Sequence, residues 1–312
     1  MKIMLLAAGL ALLSVSAAQA IDCTKAATDL DYAICRSPDL TKADNAMNAA
    51  YQAALKAVGP KMAKVLKADA VAWAGSRYDN CTIDTNGDPA KQEDIPACLL
   101  TDTQKRTAYL TGTPLAGPGF GETLIPQIMA GADQVYDEYL RFATPRSAAA
   151  KAFNAAVDKW VKNTRMAKTS DQVSDWLQLE LDYASPDLIS ADLDLSQEEG
   201  YAHAMMSNQA INIDGRTGRE LELADLLDGA GTKSIETNCA DQLKDYIAAG
   251  EEGSDQRAEN IKDMVDDLSS WSFSAGAATL HFTEYGDDPY HICIVGYDVL
   301  RPLAKASFPL PN

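Results

Sequence analysis

Hydrophobic positions in the first third of the chain recur at helical spacing. Thr28 followed by Asp31 has the form of a capping box and opens a short helix that ends near Cys35. Beyond the turn Ser37-Pro38-Asp39, residues Leu40, Met47, Tyr51 and Leu55 fall on one face of a second helix, which Gly59-Pro60 closes. Leu66, Ala70 and Trp73 form the stripe of a third helix, and Arg77 continues it one turn later. Further on, two periods mix. The pattern predicts helices from Ile125 to Phe142 and from Ser147 to Lys162, then strand-like alternation from Trp176 to Tyr183 and extended segments near 188–195 and 201–213. Asp214-Gly215 is a turn signal. Helices are predicted over Leu221–Leu227, Ser234–Ala248 and Asn260–Leu268, with closing strands near Ser272, Thr279–Phe282 and His291–Tyr297. The expected fold class is therefore α+β overall: an all-α, disulfide-bonded N-terminal helical domain, then an α+β domain with an antiparallel or mixed sheet, because strands and helices intersperse without βαβ repetition. Thr111-Gly112-Thr113-Pro114 and Gly117-Pro118-Gly119-Phe120-Gly121 resist regular structure and predict a linker over 113–121, between domains at 21–112 and 122–312.

Composition adds a compartment. Lys2, the apolar run Ile3–Val15 and the small-x-small pattern Ala18-Gln19-Ala20 predict a signal peptide over residues 1–20, cleaved near Ala20, and hence a periplasmic or secreted protein. That run is too short for the roughly twenty apolar residues a membrane span needs, so no membrane insertion is expected. Six cysteines remain after cleavage: Cys23, Cys35, Cys81, Cys98, Cys239 and Cys293. An even count in an oxidising compartment predicts three disulfides, and no C-x-x-C pair suggests a metal. Four of them precede residue 100 and permit three connectivities; Cys23 with Cys35 and Cys81 with Cys98 is the pairing chosen, leaving Cys239 with Cys293. The formal charge of −18, one unit more negative once Lys2 is removed, repels phosphate backbones and attracts cationic partners. No nucleic acid partner is expected.

Asp22-Cys23, Ile34-Cys35, Pro38-x-Leu40, Asp44, Tyr51, Trp73-x-x-x-Arg77-x-x-x-Cys81, Cys98-Leu99, Arg106 and Leu110 follow an order and spacing that resembles the LprI-like lysozyme-inhibitor domain, over about residues 21–112. An acidic position that the family fills with Glu falls here on Asp31 or Asp29. The resemblance implies a small helical domain of the periplasm or cell surface, named for inhibition of lysozyme in some members. Read as residues alone, Trp73, Tyr51 and Leu40 are core positions, and Arg77 and Arg106 pair with acids such as Asp44 to hold helices in register.

A second resemblance follows. Tyr201-Ala202-His203-Ala204, the run from Asn212 and Asp214 through Gly218-Arg219-Glu220-Leu221 to Leu223, Asp225 and Leu226, and Phe282-Thr283-x-Tyr285 with Tyr290 resemble the C-terminal domain of the anti-sigma factor RsiV, over about residues 119–308. Where that family has Gly-Gly-Ala-His, this chain has Gly200-Tyr201-Ala202-His203, and the Cys293 region replaces a later Gly. In RsiV the domain is a lysozyme receptor, so the resemblance implies the same class of ligand; in other members it accompanies a separate catalytic domain.

Catalytic motifs are lacking. The three histidines, His203, His281 and His291, show no metal-binding spacing, and neither H-E-x-x-H nor G-x-S-x-G occurs. Gly117–Gly121 lacks the Lys-Ser/Thr ending of a phosphate loop. Asp84-x-Asn86-x-Asp88 imitates a calcium loop, but Pro89 takes the place of the required Gly and Ile95 that of the bidentate Glu, which makes it a turn. No cofactor is expected, and the chain is expected to bind rather than catalyse. The partner expected is a cationic protein such as a lysozyme; the alternative is a cell-envelope accessory or scaffold in peptidoglycan upkeep. The acids and aromatics of the turn from Glu284 to Tyr290, namely Glu284, Tyr285, Asp287, Asp288 and Tyr290, are the expected contact residues.

Overall fold

The computed structural model describes residues 21–82, 90–130, 136–164, 173–199, 205–244, 247, 254–281 and 292–312. The signal-peptide positions 1–20, the calcium-like run Asp84–Asp88, His203, His291 and the turn Glu284–Tyr290 lie outside the described residues.

Four helices begin the chain: α1 (Asp29–Arg36), α2 (Pro38–Ala57), α3 (Pro60–Ser76) and α4 (Ile95–Thr111). The capping box forms, with Thr28 Oγ1 accepting the Asp31 N–H at 3.1 Å and the Asp31 carboxylate accepting the Thr28 N–H at 2.9 Å. Ser37 ends α1 and caps α2 by accepting the Leu40 N–H, while Pro38 supplies the fixed φ of a first helical position. Leu40, Met47 and Tyr51 are buried as their spacing predicts, whereas Trp73 is only half-buried. Disulfides Cys23–Cys35 and Cys81–Cys98 tie α1 to the turn before it and α4 to the end of α3.

A five-stranded sheet follows in the order β1 (Leu124–Ala130), β2 (Tyr136–Phe142), β3 (Val173–Ala184), β4 (Leu188–Glu199) and β5 (Met205–Asp214). It is mixed. β2 and β3 are parallel and joined through α5 (Ala148–Thr164), and the other neighbours are antiparallel. The helix expected over Ile125–Phe142 is instead strands β1 and β2, with Leu124 opposite Phe142 and Ile128 opposite Glu138. Ile125, Ile128 and Met129 do stand at helical spacing and Pro126 is tolerated in a first helical turn, but Leu124, Leu140 and Phe142 are buried here as strand positions against the common core. Tertiary burial decides a segment whose local pattern fits both periods.

The chain ends with α6 (Leu223–Leu226), α7 (Gly229–Gln242), α8 (Ser254–Asp266), a three-stranded antiparallel sheet β6 (Trp271–Phe273), β7 (Ala277–His281) and β8 (Ile292–Gly296), and α9 (Tyr297–Leu300). Helix α7 starts five residues before the expected Ser234, because the Asp228 carboxylate accepts the N–H groups of Ala230 and Gly231 and so offsets two helix-poor glycines. Cys239–Cys293 joins α7 to β8. The small sheet is locked to the large one by polar contacts: Asn212 of β5 donates to the Trp271 carbonyl at 2.7 Å, and Ser190 Oγ of β4 accepts the Phe273 N–H at 2.9 Å.

One core runs through the helices and the large sheet, bringing Met47 and Tyr51 of α2 and Tyr109 and Leu110 of α4 together with Phe153 and Val157 of α5 and Leu177, Leu179 and Leu193 of β3 and β4. The expected linker is pinned along β3: Leu115 N–H donates to Leu181 O, Ala184 N–H to Ala116 O, and Gly119 N–H to Ala184 O. Gly117, at φ 87°, lies so close that a Cβ there would stand 2.4 Å from the Ala184 carbonyl oxygen, and Gly112, at φ 63°, is equally close to Leu124. Residues 113–121 are thus a structural strap.

Candidate functional site

Charged residues of α3 and α4 converge where these helices meet the large sheet. Arg77 lies just past the last turn of α3 and Arg106 inside α4; both side chains are buried. Arg77 Nη1 reaches Asp44 of α2 at 3.1 Å, and Arg77 Nη2 donates to Thr103 Oγ1 at 2.7 Å. Arg106 spans two carboxylates, Asp69 of α3 and Glu138 of β2, the latter at 2.8 Å. The indole ring of Trp73 packs against both guanidinium groups, at 4.5 Å and 5.6 Å from its centroid. The ring thus sits at the edge of the apolar core, in contact with both cations. The pairing of Arg77 with Asp44 is the one expected from sequence. Asp69 and Glu138 were not foreseen, since nothing in their local pattern marks an acid that meets a partner more than thirty residues away.

Two acids on one guanidinium leave a net negative charge in a dry place. Burial pushes the Glu138 carboxyl up to about 7, with Asp69 adding to it against the pull of Arg106. Burial also raises Asp69 above the usual carboxylate range, opposed by Arg106. The neutral arrangement is therefore a guanidinium facing one carboxylate and one carboxylic acid.

A second acidic run crosses the sheet beside this triad. Glu180 and Asp182 alternate on β3, and Asp192 and Asp194 on β4. Lys105 of α4 reaches Glu180 at 2.8 Å; burial alone would lower its pKa, but Glu180 holds it raised. The Asp182 carboxyl is pushed well above the ordinary value by burial and then by Asp192 and Glu180. Asp192 also receives His281 Nε2 at 3.0 Å, so the imidazole is held protonated more tightly than usual although burial works against it. His281 further contacts Ser272 at 3.2 Å and is thus tied into an ion-pair seam between the two sheets. Among the described residues no group of three His, Cys, Asp or Glu side chains is arranged to hold a metal ion, and no helix is long and apolar enough to cross a membrane.

Part of this charge, Arg106 with Asp69 and Glu138 and Lys105 with Glu180, lines a cavity of about 640 Å³ bounded by α3, α4, the strap and β2–β4. Its walls are mixed. Trp73, Tyr109, Leu115, Leu140 and Leu181 give apolar surface, while Asp102, Lys105, Glu180 and Asp194 bring charge to it.

The buried acids and His281 share one sign of linkage. For each raised carboxyl the folded state binds a proton more tightly than the unfolded chain, and raised His281 does the same, so folding stability falls as pH rises through these folded values. Asp22, Asp31, Glu122, Asp214 and Asp225, held low by hydrogen bonds, act in the opposite sense only under more acid conditions. The melting temperature is expected to decline from about pH 5 to about pH 8, with Glu138→Gln flattening the decline. Thermal melts across that range test this; an unchanged slope in the glutamine variant would place the titration elsewhere.

Comparison with known proteins gives a match between residues 22–110 and the domain model described as lysozyme inhibitor LprI. Among solved structures the chain is similar to a DUF3298-family member from Bacteroides fragilis, at 9% identity and a TM-score of 0.43, with 60% of this chain and 95% of that chain covered. It is also similar to a DUF3298-family protein from Pseudomonas aeruginosa, at 19% identity and a TM-score of 0.37, with 62% and 98% covered. No curated protein matches the chain.

Proposed function

We propose that this chain is an extracytoplasmic binding protein whose ligand is a lysozyme, held without turnover. The observation that carries the reading is the match of residues 22–110 to the lysozyme inhibitor LprI model. Three features support it. The formal charge of −18 steers a basic enzyme toward the surface at low ionic strength. The three disulfides suit an oxidising compartment, in keeping with a signal peptide at residues 1–20. The resemblance of residues 119–308 to the RsiV C-terminal domain suggests that the second half contributes to the same ligand.

The test is titration of the purified chain into a c-type lysozyme, followed by calorimetry and by clearing of a peptidoglycan suspension. A saturable complex that slows clearing and weakens as salt shortens the Debye length from about 10 Å at 0.1 M is the expected result. Absence of both binding and inhibition at low salt would overturn the reading.

A further inference from the structure

The cavity between α3, α4 and the sheet carries an imbalance that the surrounding ion pairs do not remove. Five carboxylates line it, Asp69, Asp102, Glu138, Glu180 and Asp194, against the two cations Lys105 and Arg106. Both cations are already engaged, Lys105 by Glu180 and Arg106 by Asp69 and Glu138. What remains facing the cavity is Asp102 from α4 and Asp194 from β4. Asp194 accepts the Asn208 amide at 2.6 Å, and among the described residues neither acid forms an ion pair: Arg77, whose charge favours the Asp102 carboxylate, is already paired with Asp44, and His281, which does the same for Asp194, with Asp192. Asp102 Oδ2 is shut off from solvent and has no hydrogen-bond partner among the described residues. Burial raises both carboxyls above their ordinary values, as expected of acids that lack a full counter-charge. Beside them, Leu115, Leu140, Leu181 and Ala108 supply apolar wall.

An anion would meet an excess of acids here, and a purely apolar ligand would strand the buried carboxyls. A cation on a hydrocarbon stem answers both: its charged head neutralises Asp102 and Asp194 while its methylenes cover the leucines. We propose that this cavity is a binding site for an organic cation, a guanidinium or ammonium group on an aliphatic stem. A cavity of about 640 Å³ has room for a whole small molecule of this kind. The same chemistry is offered by a free polyamine or by a basic side chain presented by a polypeptide. The site does not depend on lysozyme being the ligand of the protein.

Two probes separate those sources: agmatine, a free guanidinium on a four-carbon stem, and arginine capped as its N-acetyl N′-methylamide. Calorimetry and tryptophan fluorescence on the full chain are expected to show saturable binding of at least one of them at concentrations up to about 10 mM. Binding of agmatine alone assigns the site to free amines; binding of the capped arginine as well assigns it to side chains too. Asp102→Asn keeps the size of the side chain while removing its charge and is expected to weaken binding at least about tenfold, and Asp194→Asn to do likewise. Asp158→Asn, which alters an exposed ion pair with Arg141 outside the cavity, controls for net charge and is expected to leave binding unchanged. Circular dichroism of each variant confirms that the fold is kept. Failure of both probes to bind the wild type, or equal weakening by Asp158→Asn, would overturn the proposal. Lysozyme binding is read separately, so either result can fail without the other.

Discussion

Arg106→Met is expected to cost the fold about 3–5 kcal/mol, the range for removing one partner from a buried charge network. The substitution keeps most of the aliphatic volume of the side chain but leaves Asp69 and Glu138 facing one another without the guanidinium that both contact. It also removes one of the two cations packed against Trp73. A fall of roughly 5–10 °C in Tm should accompany it for a chain of this size. The loss should be smaller near pH 5 than near pH 8, because a protonated Glu138 relieves part of the repulsion. A compensated variant, Arg106→Met with Asp69→Leu and Glu138→Leu, should recover much of the stability, since an apolar replacement of a whole buried ion cluster is often neutral or better. Chemical denaturation of the three proteins decides the matter; an Arg106→Met protein as stable as the wild type would show that the triad holds nothing together.

The second large effect belongs to the disulfide between Cys239 and Cys293. It closes the longest loop of the three, 54 residues against 12 and 17 for Cys23–Cys35 and Cys81–Cys98. In the loop-closure picture, opening it releases unfolded-chain entropy equivalent to about 4 kcal/mol, against about 3 kcal/mol for either short loop. Both sulfurs are buried in the core under the small sheet, so replacement by alanine also removes packing. Cys239→Ala/Cys293→Ala should therefore lower the denaturation midpoint more than Cys23→Ala/Cys35→Ala, whose first cysteine is exposed. The reverse ranking would mean that chain entropy is not what the long bridge contributes.

Much of the helical part was legible because its information is local. A capping box needs only Thr28 and Asp31, and a helical face needs only the spacing of Leu40, Met47 and Tyr51, so each could be read within one or two turns. Alternation from Trp176 to Tyr183 gave β3 in the same way. Where two periods fitted one segment, as between Ile125 and Phe142, the reading failed, because Pro126 and the apolar positions suit a helix start as well as a strand. The start of α7 was missed because an Asp228 cap outweighed two glycines.

The sequence by itself determined the excess of negative charge, the alternation of β3 and the helical stripes of α2 and α3, and it suggested an acid such as Asp44 as a partner for Arg77. Only the tertiary structure decided which acids Arg106 would meet, that Trp73 would contact two guanidinium groups, that residues 113–121 would be strapped to β3, and that Asp102 and Asp194 would face one cavity. The physical reason is range. Propensity, capping and periodicity act between residues a few positions apart, whereas a buried charge takes whatever partner folding brings within about 3 Å. In a chain with 45 acidic residues, the pattern along the sequence does not distinguish the few carboxylates that end up buried from the many that stay in water.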